Sequence, residues 1–257
     1  MSGGRIVVTR DGAIARVAID RPDSGNAVAG QDLLALADAL RALQGEAAVR
    51  VIVLTGTGPK FFCTGSDIAE LAGGMDDIGR HLGKWHAVVD LLETSPKPVI
   101  AAINGAAVGG GLELALACHH RIAVEGARLG LPELKVGLFP AAGGVRRLTR
   151  LAGRARALDL VLGAGLLTAA EALAAGIVDR VVPEAALEFA VAEVAGRVAR
   201  FEPNAVAATL ACALAAERGH DTNEQEVELL RECYGNPRNR EVLAAFLDRP
   251  RAPRAAP

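Results

Sequence analysis

The chain of 257 residues predicts an α/β fold on three observations. A hairpin signal, Asp11-Gly12, opens it; buried-strand patterns alternate with helical periodicity as far as Val182; and from Pro183 onward only helical patterns remain.

Each element can be justified in order. Ile6-Val-Val-Thr9 and Ile14-Ala-Arg-Val-Ala-Ile19 flank the hairpin turn. Apolar residues at Leu33, Leu36, Leu40 and Leu43 follow one face of a helix, and Val51-Ile-Val-Leu54 reads as a buried strand. The loop Thr55-Gly-Thr-Gly-Pro-Lys60 leads to Phe61-Phe-Cys-Thr-Gly-Ser-Asp-Ile68, and Leu71 to Leu92, with Trp85, reads as a helix able to line a pocket. Pro98-Val-Ile-Ala-Ala-Ile103 is a second buried strand turning through Asn104-Gly105, with a helix from about Gly110. His120-Arg-Ile-Ala-Val124 and Val178-Asp-Arg-Val-Val182 are further strands. Four helices are expected after them: 184–200, 203–217, 223–232 and 239–248. A division near residue 195 therefore separates residues 1–195 from a helical 196–257, whose tail from about 249 has no core-forming residues and is expected to be disordered. No internal repeat is visible.

Composition excludes several function classes. A net charge of −2 argues against a nucleic-acid partner, and 3% aromatic residues against base stacking. Arg146, Arg147 and Arg150 read as the solvated face of a helix. Cys63, Cys118, Cys212 and Cys233 lack metal or disulfide spacing, so no metal and a reducing cytoplasm are expected, and the N-terminus carries no visible secretory signal. Pro98 to Cys118 holds 21 residues with one charge, the length of a bilayer span, but four glycines, Asn104 and Glu113 interrupt it. A strand plus a helix fits better, and no membrane partner is expected.

Two acids carry the chemistry. Glu113 stands among Leu112, Leu114, Ala115 and Leu116, three residues after Gly110 and so close to one helical turn from it. Glu133 lies 20 residues on (133 − 113), behind the helix-breaking Pro132. Gly109-Gly-Gly111 opens a helix whose first amides are unpaired, and Thr64-Gly-Ser-Asp67 is a second small-residue turn whose amides could converge on the same point. Two such N–H groups would make an oxyanion hole, and a carboxylate pair can divide acid and base roles. Taken singly, a glycine run serves packing, Glu113 suits a helix first turn and Glu133 an exposed turn; the combination points to a site. Ser66 lacks the G-x-S-x-G elbow of a nucleophile, and His119 and His120, adjacent residues of a helix end, should face apart rather than share a metal.

The segments 54–68, 96–113 and 131–144 together resemble the enoyl-CoA hydratase/isomerase (crotonase) family, and the likeness extends from Ile19-Asp-Arg-Pro22 and Asn26-Ala27 through Leu167 to Asp179. That resemblance implies a crotonase-like ββα spiral core, a helical C-terminal trimerisation region giving a homotrimer or dimer of trimers, and an acyl-CoA thioester substrate with no separate cofactor. It implies that the amides of Ser66 and Gly110 hold the thioester oxygen. It also implies that Ala27, Thr64, Asp67, Ile68, Val108, Pro132 and Ala141 line the substrate. Glutamate at both acid positions is the hydratase pattern: Glu113 and Glu133 would add water across a trans-2-enoyl-CoA. A Δ3,Δ2-enoyl-CoA isomerase or another acyl-CoA lyase or hydrolase is the alternative, and a non-catalytic or RNA-binding member a remote one. Departures are Ala141 where glycine is common, Asp23-Ser-Gly25 without the usual basic residue, and the partial match of 239–246.

Overall fold

A computed structural model describes residues 5–67, 70 and 78–248, so Ile68, Leu71 and the tail from 249 lie outside the described residues. β1 (Ile6–Asp11) and β2 (Ile14–Ile19) pair antiparallel with Asp11 opposite Ile14, leaving Gly12 and Ala13 as the loop. α1 (Gly30–Gly45) then buries Leu33, Leu36, Leu40 and Leu43, the stripe that its periodicity marks.

The chain next winds so that successive strands feed two sheets. β3 (Val51–Gly56), β5 (Val99–Ile103), β7 (His120–Val124) and β10 (Arg180–Val182) extend the first hairpin into a six-stranded sheet ordered β1-β2-β3-β5-β7-β10. Beyond the β1/β2 pair its strands are parallel. β4 (Phe61–Cys63), β6 (Ala106–Val108), β8 (Arg128–Gly130) and β9 (Leu167–Thr168) form the other sheet. Every residue of β3 and β5 is buried, as in a parallel sheet covered on both faces, and the one polar side chain among them, Thr55, donates its hydroxyl to Ala102 O at 2.8 Å. The backbone thus repeats where the sequence shows no repeat: burial recurs from turn to turn, not residue identity.

Two asparagines, a half-buried Asn104 and a buried Asn26, staple the corners of this winding. Asn104 Oδ1 accepts the Gly56 N–H at 3.1 Å while its Nδ2 donates to Gly58 O at 2.6 Å, tying the β5–β6 corner to the β3–β4 corner. Asn26, at φ 54°, accepts the Arg21 N–H and donates to Thr57 O and Phe61 O. Asparagine tolerates that left-handed backbone and satisfies three main-chain groups at once.

The remaining helices are α2 (Ile78–Glu93), α3 (Gly110–Ala117), α4 (Gly144–Ala152), α5 (Arg154–Gly163), α6 (Ala169–Ala174) and α7 (Leu187–Val198). α7 is packed on the core through Leu187, Ala190, Val191, Val194 and Ala195. α8 (Pro203–Glu217), α9 (Asn223–Gly235) and α10 (Pro237–Leu247) bury no residue in the single chain and expose Leu230, Tyr234, Phe246 and Leu247.

Two expectations need correcting. α3 stops at Ala117, so His119 and His120 lead into β7 rather than share a helix; His119 Nδ1 accepts the Val99 N–H at 2.9 Å and His120 meets Asp179 at 3.2 Å. Arg147 is not on a solvated face: it is 2% exposed and its Nε donates to Glu93 Oε1 at 3.0 Å. Arg146 does remain exposed. The four cysteines are free. Among the described residues there is no His/Cys/Asp/Glu group arranged to hold a metal ion, and no helix long and apolar enough to cross a membrane.

Candidate active site

β6 hands the chain to α3 through the glycine run, and the three glycines do different work. Gly109 has φ 57° and ψ −130°, a conformation hostile to a side chain, and a Cβ there would stand 3.2 Å from Glu133 Oε1. Gly110 is the first residue of α3, where an N–H has no intrahelical acceptor, and a Cβ on it would come within 2.5 Å of the Trp85 ring. Gly111 sits directly on β4, so close that a Cβ would overlap the Cys63 carbonyl.

That contact brings α3 against the loop after β4. A Cβ on Gly65 would stand 2.9 Å from the Gly110 nitrogen, so the Thr64–Asp67 loop faces the helix start. Val28 forms a parallel bridge with Ser66: its N–H donates to Gly65 O and its carbonyl accepts the Asp67 N–H, each at 2.9 Å. Parallel pairing uses the residues on either side of Ser66 and turns the Ser66 N–H away from Val28. The amides of Ser66 and Gly110 accordingly have no acceptor among the described residues.

Glu113, in the first turn of α3, is 4% exposed and points at the loop before α4, its Oε1 accepting the Gly144 N–H at 2.8 Å. Burial pushes its carboxyl up to about 7; Glu133 pushes the same way, while the amides of Gly144 and Ala142 and the Arg147 charge pull it down. Glu133 opens a single 3-10 turn, Glu133–Val136, behind Pro132. It is half-buried, burial raises its pKa, and its Oε2 has no hydrogen-bond partner among the described residues. The winding thus sets Glu133 beside Gly109 and Glu113 beside Gly144, on separate elements, with the Glu133 charge raising Glu113.

The other expected contacts divide. Val108 and Thr64 line the same junction, with Val108 O 3.3 Å from a Cβ built on Gly65. The Ala27 carbonyl is occupied by Arg21 Nη1 at 2.7 Å, and Asp67 Oδ2 by Arg21 Nη2 at 2.9 Å. The Asp67 amide is also used, by Val28, so a ligand there would have to meet other atoms of that residue. Pro132 caps the Glu133 turn, and the Ala141 carbonyl lies 2.9 Å from His86 Nε2.

α2 is the element that sequence reasoning undervalued. Trp85, 3% exposed, donates its Nε1–H to Ser66 Oγ at 3.0 Å, while His86 and Glu93 reach the loop before α4 and the start of α4. The chain's sole tryptophan was the available signal, but its partner is 19 residues away and on a loop. Ser66→Ala removes the acceptor of a buried indole N–H and should destabilise the protein by about 1–3 kcal/mol, read from denaturant unfolding followed by Trp85 fluorescence. An unchanged midpoint would mean that this bond contributes nothing.

Comparison with known proteins gives one consistent answer. The sequence profile described as enoyl-CoA hydratase/isomerase matches residues 9–253. The chain is 35% identical over 258 aligned residues to crotonyl-CoA hydratase of Syntrophomonas wolfei, with 98% of each covered. It is 33% identical to short-chain-enoyl-CoA hydratase of Clostridium acetobutylicum, with 97% of each covered. Among solved structures, an enoyl-CoA hydratase from Bacillus anthracis superposes with a TM-score of 0.88 at 34% identity, covering 95% of this chain and 96% of that one.

Proposed function

The chain belongs to the enoyl-CoA hydratase/isomerase family, and from that premise we propose that it hydrates the 2,3 double bond of a trans-2-enoyl-CoA to a 3-hydroxyacyl-CoA. The observation that carries this reading is the pair of acids Glu113 and Glu133. Burial holds both carboxyls above the usual carboxylate range, and the Glu133 charge raises Glu113 further.

In the proposed reaction Glu113 takes a proton from water as its oxygen bonds to C3, and Glu133 gives its proton to C2. The amides of Ser66 and Gly110 hold the negative charge that develops on the thioester oxygen. Burial holds Glu113 at about 7, so it can act as a base at neutral pH with the Gly144 and Ala142 amides supporting its ionised form, while the unpaired Oε2 of Glu133 suits a protonated acid. Water and two carboxyls balance the atoms, so we propose no cofactor beyond the CoA of the substrate. We also propose that residues 196–257 form a trimerisation region, since α8–α10 expose large apolar side chains and bury none. A reducing cytoplasm remains the proposed location, in keeping with four free thiols.

Purified protein is expected to bleach the conjugated thioester absorbance of crotonyl-CoA. Glu133→Gln should lower that rate by about 10²–10⁴-fold, the range that general acid–base catalysis contributes. Failure of wild type to hydrate crotonyl-CoA while it converts a 3-enoyl-CoA would replace hydration by isomerisation.

A further inference from the structure

We propose that Arg147 is a positioning residue for Glu113, seated by Glu93 of α2 and, through Glu93, by Arg218 at the end of α8. The inference rests on the reading of Glu113 as the base.

Arg147 is buried at 2% exposure, and its guanidinium fork spans two elements. Nη1 donates to the Ala142 carbonyl at 2.9 Å and Nε to Glu93 Oε1 at 3.0 Å. The gripped loop is the one that supplies Glu113 with amides: Gly144 N–H meets its Oε1 at 2.8 Å, and Ala142 contributes a second backbone donor. Between them Gly143 runs at φ 91°, and a Cβ on it would overlap Arg147 Nη1, so the fork lies flat against the loop. The held Ala142 carbonyl and the Gly144 and Ala142 amides together fix where the Glu113 carboxylate stands.

Glu93 is what keeps the fork in place. Its side chain is 7% exposed and receives Arg218 Nη2 at 2.9 Å and Arg146 Nη2 at 3.4 Å besides Arg147, with Arg150 Nη1 at 3.8 Å. A buried carboxylate holds its place when surrounded by such donors. Arg218 comes from the helical end of the chain and Arg150 also approaches Glu217 at 3.9 Å, so α8 reaches the base through this cluster. The charged groups around Glu113 are Glu133 from the 3-10 turn and Arg147 from α4; on α2, Asp90 and Glu93 face Arg147 at 3.8 and 3.0 Å, and His86 meets Ala141.

The test uses steady-state hydration of crotonyl-CoA against pH by the full-length protein. Arg147→Met should lower kcat at least about tenfold with KM little changed, and move the acidic limb of kcat/KM to higher pH, because Glu113 loses both an ordered donor loop and a nearby cation. Because that variant strands Glu93, the double variant Glu93→Met, Arg147→Met replaces the buried pair together and should recover much of the melting temperature without recovering kcat or the pH midpoint. Arg218→Ala should shift the midpoint in the same direction by less. A double variant with wild-type kcat and pH midpoint would reduce Arg147 to a stability role, and an unmoved profile in Arg218→Ala would cut the link to α8. If instead wild type does not hydrate crotonyl-CoA, or Glu113→Gln keeps full activity, the reading of Glu113 as a hydratase base fails first, and the positioning falls with it.

Discussion

Glu113→Gln is expected to lower kcat on crotonyl-CoA by about 10²–10⁴-fold, because an amide accepts the Gly144 N–H as well as a carboxylate does but cannot take a proton from water. In wild type, kcat/KM should fall as pH drops below about 7, where burial has placed the Glu113 carboxyl. Stability should move the other way. Glu113 titrates from 4.5 in the unfolded chain to about 7 in the folded one, so the folded state binds the extra proton and loses stability as pH rises through 7. The gap of about 2.5 units (7 − 4.5) corresponds to roughly 3 kcal/mol at pH 8, an upper value for what Glu113→Gln recovers there. Below pH 4.5 the two proteins should differ little.

His119 sharpens the measurement. Burial lowers its pKa from 6.5 to about 4, so its contribution is present above 6.5 and lost as pH falls towards 4. The two slopes oppose each other between about 4.5 and 6.5, which flattens the wild-type profile. Removing Glu113 should expose the rising limb of His119, up to about 1.4 kcal/mol per pH unit. Parallel melting curves for the two proteins across pH 4.5 to 8 would mean that Glu113 is not a strained buried acid.

Gly111→Ala is expected to be the most damaging small substitution in the fold. The added Cβ would stand 2.5 Å from the Cys63 carbonyl carbon and overlap its oxygen. Both atoms are backbone within β4 and cannot rotate away, so α3 must lift off the sheet with its buried Leu112, Leu114, Ala115 and Leu116. Overpacking usually costs about 1–3 kcal/mol where side chains can yield; with none to yield, a loss above about 4 kcal/mol is expected. Gly83→Ala supplies the contrast. Gly83 lies exposed within α2, a Cβ there meets nothing within 4 Å, and alanine should stabilise by about 0.5–1 kcal/mol. Chemical denaturation of both decides the matter: equal midpoints would refute close approach as the reason for glycine at 111.

Most of the fold was legible because local pattern and global packing agree in it. β5 is apolar and buried throughout, and the helical end announces itself in periodicity: α8 was expected at 203–217 and occupies Pro203–Glu217. The acids were legible too, since a glutamate amid leucines and a glutamate behind a proline are unusual companions. What stayed hidden was pairing at a distance. Arg147 is one of three arginines within five residues of α4, and nothing in 144–152 reveals which of them turns inward. Its partner, Glu93, is 54 residues earlier, and Arg218 is 125 residues after Glu93.

Residue types and their order were enough to show which groups are chemically able: two acids, two turns of small residues with spare amides, and strands apolar enough to bury them. Tertiary structure decided where that capacity is directed. Burial between α3 and the loop before α4 raises Glu113, the parallel bridge to Val28 leaves the Ser66 N–H unused, and the guanidinium of Arg147 holds the loop that Glu113 leans on. A pKa or an unpaired donor depends on what surrounds a group in space, and those neighbours come from chain segments whose approach no local pattern encodes.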